Sequence, residues 1–311
     1  MAAKEELAIS SETVRKVGSI LNSDSKNLAE RFRALFTLRN VGGDVAIEEI
    51  AKGFSDPSAL LKHELAFCLG QMKDIRAIPH LMRVLKDTQQ QAMVRHEAGE
   101  ALGAIGDPSV LDLLDHYAED PITEVSETCQ IAASKIRWEQ AQKGRNYSTK
   151  DPGVYHSIDP APACTSGNVQ QWSSDLLDPT LPLFERYRAL FALRNSGGEE
   201  AVLHLARGLN HSSALFKHEI AYVLGQMQHS AAVGPLIAKL AQVSENAMVR
   251  HECAEALGAI ATEDCLQVLQ EYLNDEERVV RESCMVALDM YRYEHSSDFQ
   301  YANSVSAVNA T

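Results

Sequence analysis

The sequence has 311 residues, 45% of them hydrophobic, and a formal net charge of -14 at pH 7. A chain of this length can bury one sizeable core or two smaller ones. The negative charge argues against a nucleic-acid partner, because phosphates require a basic binding surface. No apolar run approaches the length that crosses a bilayer, so we expect no membrane association.

The N-terminus and the cysteines indicate a cytoplasmic protein. The opening Met-Ala-Ala-Lys-Glu-Glu lacks the apolar core of a signal peptide. The six cysteines form no Cys-x-x-Cys pair and no regular ladder. This usage favours reduced thiols that pack between helices. We expect the chain to act as a monomer.

In chain order, the first half (residues 1–138) reads as a series of helices. A helix within residues 1–25 has Ser11 as its predicted N-cap, and a second helix over 30–40 ends at a glycine pair. Short and long helices then alternate. Their predicted ranges are 44–53, 58–72, 75–87, 91–105, 109–118 and 122–137.

Residues 139–180 are rich in Pro, Gly, Ser and Asn, and are predicted to link two halves. The second half, residues 181–295, repeats the first at an offset of 155 positions, so that residues 185–195 match 30–40. The last stretch, 296–311, is small and polar and is predicted to be a disordered tail.

The repeating unit is a helix pair of 30 to 35 residues, and no segment has the period-two alternation of a strand. A fixed period of this size is typical of a solenoid. The stretch at 101–108 is similar to short HEAT-like repeats. We therefore predict an all-α fold, an α-α superhelix of about eight HEAT-like helix pairs in two related halves.

Four His-Glu dipeptides, each preceded by Lys or Arg, recur within this pattern. His63 and His96 are 33 positions apart, as are His218 and His251, and the two pairs are separated by 155 positions. Each histidine is followed by a glutamate; these glutamates are Glu64, Glu97, Glu219 and Glu252.

Neighbouring residues on a helix point about 100° apart, so a His and the following Glu can reach one metal ion from two sides. Two stacked helices then supply two imidazoles and a carboxylate with open positions, a set that suits non-haem iron. Two halves supply two such sets. The pattern predicts two metal ions that face each other if the halves close together.

The dipeptides have two alternative interpretations, a copied structural pair and a zinc site. Repeat duplication can copy a structural His-Glu pair, but it gives no reason to bury ionisable groups, which is costly unless they are matched. A zinc hydrolase with His-Glu-x-x-His requires a second histidine four positions on. That place holds Phe67, Glu100, Tyr222 and Glu255, so the motif is absent.

The four Lys/Arg-His-Glu motifs, in two halves of HEAT-like repeats, resemble the deoxyhypusine hydroxylase family over nearly the whole chain. The resemblance implies a non-haem diiron monooxygenase that uses dioxygen. Its implied substrate is the deoxyhypusine side chain on the precursor of eukaryotic translation initiation factor 5A, which is hydroxylated to hypusine.

The resemblance also implies the roles of the motif residues. One iron would be bound by His63, His96 and Glu97, and the other by His218, His251 and Glu252. Glu64 and Glu219 would face the substrate amine or water, or serve as further ligands.

Two functions from other classes stay open on the sequence alone. A HEAT-like scaffold that only binds proteins would bind no iron and would tolerate alanine at all four histidines. A HEAT-like lyase that attaches tetrapyrroles to proteins would not require four matched His-Glu pairs.

Overall fold

The fold is an array of helix pairs, taken from a computed structural model that describes residues 9–143 and 154–309. The helices of the first half are α1 Ser11–Leu21, α2 Leu28–Val41, α3 Gly43–Lys52, α4 Ala59–Gln71, α5 Ile78–Lys86, α6 Ala92–Ile105, α7 Leu111–Tyr117 and α8 Thr123–Gln142. Those of the second half are α9 Val169–Leu177, α10 Leu183–Ser196, α11 Gly198–Arg207, α12 Ala214–Met227, α13 Val233–Leu240, α14 Ala247–Ile260, α15 Glu263–Glu271 and α16 Arg278–Glu294. A last helix, α17, spans Ser304–Asn309.

The even-numbered helices form an inner layer, and the odd-numbered helices from α1 to α15 pack outside it. Each inner helix packs on the next within its half, as α4 does on α6 and α12 on α14. The ends of the halves also meet, because α8 packs on α10 and α12, and α16 packs on α2 and α4. The eight inner helices therefore close into a ring. This confirms the predicted superhelix of eight helix pairs and adds its closure.

One contact recurs at both junctions between the halves. Ser58 Oγ donates to Glu282 at 2.6 Å, and Ser213 Oγ donates to Glu127 at 2.6 Å. These two pairs are related by the same offset of 155 positions. At one junction only, Arg33 Nε also donates to Asp289 at 2.8 Å.

Two features differ from the predictions. The N-cap of α1 is Ser10, which accepts from Thr13 N, and not Ser11. The predicted linker 139–180 contains the end of α8 and the whole of α9, whose Asn168 cap was hidden among turn residues. Within the predicted linker, residues 144–153 lie outside the described part of the chain.

The expectation of a disordered tail over 296–311 is corrected for its described part. Helix α17 packs on α1 and α2, and Ser304 N donates to the Thr37 hydroxyl at 3.2 Å. Tyr301 lies across Arg33, with the guanidinium 4.6 Å from the ring centre. The composition of this segment did not predict its order, because its contacts are made with a surface that exists only in the folded ring.

Across the described residues, no helix combines the length and apolar character that crossing a membrane requires.

Glycine sets the spacing of the inner helices, and this gives a test of their packing. A Cβ at Gly258 would lie 2.7 Å from the backbone of Ala287 on the neighbouring helix, whereas nothing lies within 4 Å of one at Gly234. Gly258→Ala should therefore lower the free energy of unfolding by about 1–3 kcal/mol through overpacking. Gly234→Ala is the matched control and should be neutral or stabilising by up to about 1 kcal/mol. Urea denaturation measures both; equal effects would contradict the close approach.

Candidate metal centre

A basic residue anchors each His-Glu helix to its surroundings. Arg95 Nε donates to the Leu85 carbonyl at 2.9 Å, and its guanidinium pairs with Asp120 at 2.6 Å. Arg250 repeats this arrangement on the Leu240 carbonyl at 2.8 Å and on Asp275. Because these contacts hold one face of the helix outward, the following His and Glu are turned toward the ring centre.

The lysines have the same role in the other two motifs. Lys62 Nζ donates to the Gln90 side chain at 2.6 Å, and Lys217 Nζ pairs with Glu245 at 2.5 Å. Both lysines are buried. The basic residue that precedes every His-Glu dipeptide is therefore an orienting residue, a role that the sequence pattern alone did not reveal.

The four histidines meet at the centre of the ring. The ring centroids of His63 and His96 are 5.4 Å apart, and those of His218 and His251 are 5.3 Å apart. Across the two halves, His63 lies 5.5 Å from His218 and 5.1 Å from His251. The predicted convergence of both halves on one centre is thus present.

All four imidazoles are buried, and none of their nitrogens has a hydrogen-bond partner. His96 and His251 are fully shielded from solvent, and His63 and His218 are at most 5% exposed. All eight ring nitrogens lack a hydrogen-bond partner. A buried polar atom without a partner costs free energy, so these nitrogens require another kind of ligand.

Carboxylates approach the same centre. Glu97 Oε2 lies 3.2 Å from His63 Nε2, and Glu252 Oε2 lies 3.1 Å from His218 Nε2. The predicted set His218, His251 and Glu252 has donor atoms within 4.8 Å of one another, close enough for a single ion.

The first predicted set is arranged differently. Its donors fall into two groups that each meet the 4.8 Å limit: His63 and His96 with His218, and His96 and Glu97 with Glu100. The six predicted ligands thus lie together, but their division between two ions stays a prediction.

Burial dominates the electrostatics of the centre. It raises the pKa of Glu64 and of Glu97 to about 8, with Glu252 adding repulsion to both. Burial also raises the pKa of Glu219 well above its usual range. In the opposite direction, it lowers the pKa of His63 to about 4 and lowers the pKa of His96 well below its usual range. The protein alone thus favours neutral groups, and a cation would compensate their charges.

Two further glutamates belong to the centre and were missed from the sequence. Glu100 and Glu255 lie one turn beyond His96 and His251, and burial raises the pKa of both. Glu255 Oε1 is 3.5 Å from His251 Nδ1. Their separation of 155 positions is the sequence signal that identifies them, although the same two positions also exclude the zinc motif.

A cavity of about 330 Å³ leads to the centre. Its inner wall contains Glu64, Glu219, Glu100 and Glu255. Its apolar lining includes Phe32, Phe36, Phe67, Tyr222, Val286 and Met290. The cavity therefore combines carboxylates with apolar surface, which suits a slender cation with an alkyl chain.

The donor set fits a metal that binds nitrogen and oxygen. Imidazoles and carboxylates with no thiolate suit iron and other first-row ions, and the cavity leaves positions open to a substrate. Together, the ring and its centre define a HEAT-repeat protein with an interior histidine-carboxylate site able to hold metal ions.

Comparison with known proteins identifies the family. The family model for HEAT repeats matches residues 44–134 and 200–289, and the PBS lyase HEAT-like repeat matches 185–211. Deoxyhypusine hydroxylase of Danio rerio is 59% identical over 292 residues, which covers 94% of this chain and 96% of that protein. Deoxyhypusine hydroxylase of Drosophila melanogaster is 53% identical over 305 residues, which covers 97% of this chain and 99% of that protein. The chain belongs to the deoxyhypusine hydroxylase family.

A solved structure supports the same conclusion. The structure of human deoxyhypusine hydroxylase in complex with glycerol has a TM-score of 0.88 and 59% sequence identity. The match covers 91% of this chain and 97% of that one. The resemblance read from the four motifs is thereby confirmed.

The raised carboxylate pKa values predict how pH affects the metal-free protein. Folded Glu64 and Glu97 keep protons up to about pH 8, whereas the usual carboxyl value is 4.5. The folded state therefore binds more protons than the unfolded state in this window, and stability should fall as pH rises. The lowered pKa of His63 has the opposite effect on stability, because the unfolded state then binds the extra proton. That effect is confined to pH values below the usual imidazole pKa of 6.5. Urea denaturation of chelator-treated protein should thus give less stability at pH 8 than at pH 6.5.

Glu64→Gln is the matched variant for this measurement, because it removes one of the titrating groups and should reduce the slope. A saturating divalent metal should also remove the loss, since metal binds the deprotonated carboxylates. Equal stability of the metal-free protein at both pH values would contradict the assignment of buried, protonated carboxyl groups.

Proposed function

We propose that this chain is a deoxyhypusine hydroxylase. It hydroxylates the deoxyhypusine side chain on the precursor of eukaryotic translation initiation factor 5A, at a non-haem centre of two iron ions. The observation that carries the proposal is the meeting of four unpartnered, buried histidines with four motif glutamates inside one ring. Membership of the family supplies the substrate.

The proposed ligand sets follow the halves of the chain. His63, His96 and Glu97 bind one iron, and His218, His251 and Glu252 bind the other. The short distances from His63 to Glu97 and from His218 to Glu252 support this pairing, because they join residues of the same half. Bound iron would supply the activation of dioxygen that hydroxylation of an unactivated carbon requires.

The remaining motif glutamates bind the substrate. Glu64 and Glu219 line the cavity, and Glu219 Oε1 has no hydrogen-bond partner. Deoxyhypusine is a long cation, and its ammonium groups would donate charge-assisted hydrogen bonds to these carboxylates. Approach of that cation favours their ionised forms and so offsets the effect of burial on their pKa values.

Aromatic rings would hold the alkyl part of the side chain. Phe67 and Tyr222 are equivalent residues of the two halves, and their ring centroids are 6.0 Å apart at the cavity. Packing of methylene groups against this pair of rings would exclude water from the carbon to be hydroxylated. The alkyl chain is thus aligned, while the two glutamates fix its charged ends.

The proposed setting is the cytoplasm. All six cysteines are free thiols, five of them buried, as expected in a reducing compartment. The net charge of -14 would steer a basic segment of a protein substrate toward the chain.

Substitution of the proposed ligands tests the metal centre. His63→Ala and His251→Ala should each remove iron and lower kcat/KM by about 100-fold or more, because one ligand of three is lost. Metal analysis of the purified protein should find two irons per chain before substitution. The control is His80→Ala, which changes a histidine on outer helix α5. Full iron content with lost activity would contradict the ligand assignment.

Substitution of the substrate-facing glutamates should have a different effect. Glu64→Gln and Glu219→Gln keep the size of the side chain and remove its charge, so KM should rise by about ten- to a hundredfold for loss of one charge-assisted hydrogen bond. Iron content should stay unchanged. Steady-state kinetics and metal analysis measure both quantities; loss of iron would instead make these residues ligands.

Incubation with the deoxyhypusine form of the factor tests the reaction itself. Mass spectrometry should find a gain of one oxygen on that side chain, and only in the presence of dioxygen and a reductant. A protein-binding scaffold would bind no iron and form no product. Binding of the factor without turnover by the iron-loaded chain would contradict the proposed function.

A further inference from the structure

Because the two halves repeat, we expect two equivalent openings to the central site, here called mouths. Both would lie at the end of the ring where the inner helices terminate. One mouth is the open end of the 330 Å³ cavity. Its residues include Phe36, Arg39, Gln228 and Met290. The residues 155 positions away in the other half are Phe191, Arg194, Lys73 and Lys135. We call the second place the covered mouth.

Residues 155–161, defined here as the plug, lie over the covered mouth. Gln71 binds the plug backbone at two points, since Ile158 N donates to its side-chain oxygen at 2.8 Å and its amide donates to Ile158 O at 3.2 Å. Arg194 binds Asp159 with two hydrogen bonds of 2.8 and 2.6 Å. The plug is therefore attached to both halves of the ring.

The deepest part of the plug fills the covered mouth. Pro160 and Ala161 are buried, and Ala161 is fully shielded from solvent. Beside Pro160 only about 10 Å³ remains, between Glu100 and Lys135. A space of this size holds at most one water molecule. No alkylamine can pass there, whereas the open mouth has room for one.

The side chains that line the two mouths differ as well. Lys73 and Lys135 at the covered mouth correspond to uncharged Gln228 and Met290 at the open mouth. Lys135 is buried, donates to the Gly103 carbonyl at 2.9 Å and pairs with Glu139 at 3.0 Å, so its ammonium is held in place. The Lys135 side chain thus lines the small space beside Pro160, whereas the uncharged Met290 lines the open mouth.

We propose that the plug makes the ring one-sided: the cationic side chain of the substrate reaches the glutamates only through the open mouth, between Phe36 and Met290. The proposal rests on the proposed function for the identity of that side chain. The two halves of the centre are thus inequivalent toward the substrate, although their ligands are related by the repeat.

Exchange of the charges between the mouths tests the proposal. Met290→Lys with Gln228→Lys copies the covered mouth onto the open one and should raise KM for the protein substrate by roughly tenfold or more. The mirror variant, Lys135→Met with Lys73→Gln, changes the same residue pair at the covered mouth and should leave KM unchanged. Iron content and melting temperature show that each variant is folded.

A second experiment releases the plug from the ring. Gln71→Ala with Asp159→Ala removes its attachments, and hydrogen exchange at the Ile158 amide should become faster. The same release is then made in a chain that carries all four charge substitutions at the two mouths. There it should restore part of the kcat/KM that the substitutions at the open mouth removed.

The outcomes separate the two proposals. Absence of product from the unsubstituted, iron-loaded chain would refute the proposed function, whereas exchange at Ile158 would still report on the plug. Equal KM increases in the two charge variants, or an unaltered KM in the first, would overturn the one-sided ring. Unchanged exchange at Ile158 after release, or faster exchange without recovery of activity, would also overturn it.

Discussion

The burial of ionisable side chains at the centre of the ring constrains the rest of the structure. Four imidazoles without hydrogen-bond partners and several carboxyl groups of raised pKa lie where a hydrophobic core would otherwise be. Such a group of residues is unfavourable by itself, and a bound cation would compensate it. The inner helices must therefore be held from outside, by their anchors and by outer-layer packing, rather than by contacts at the centre.

The repeat made much of the fold and of the candidate site predictable. An offset of 155 positions relates helices, glycines and all four His-Glu dipeptides, so one half predicts the other. Helical periodicity then places the dipeptides on inner helices. Closure of the ring did not follow from the pattern, because it depends on side-chain contacts such as Ser58 with Glu282, which are distant in sequence.

Three parts of the site could not be predicted for physical reasons. The anchoring role of Arg95 depends on a carbonyl at the end of the preceding helix, and thus on how two helices cross. Glu100 lies one helical turn after His96, but a glutamate at this position is common on helix surfaces and does not by itself indicate a metal ligand. The plug has the composition of a loop, and its contact with Gln71 is made by backbone atoms, which a sequence does not specify.

The twin contacts between the halves have a consequence for the origin of the chain. The Ser58–Glu282 and Ser213–Glu127 contacts are the same interaction made twice, with the roles of the two halves exchanged. This reciprocity is what an isologous interface between two identical subunits requires. The ring therefore has the construction of a homodimer joined into a single polypeptide. The two halves are not identical, however, because corresponding positions hold different residues, such as Lys135 and Met290, so the symmetry of the ring is approximate.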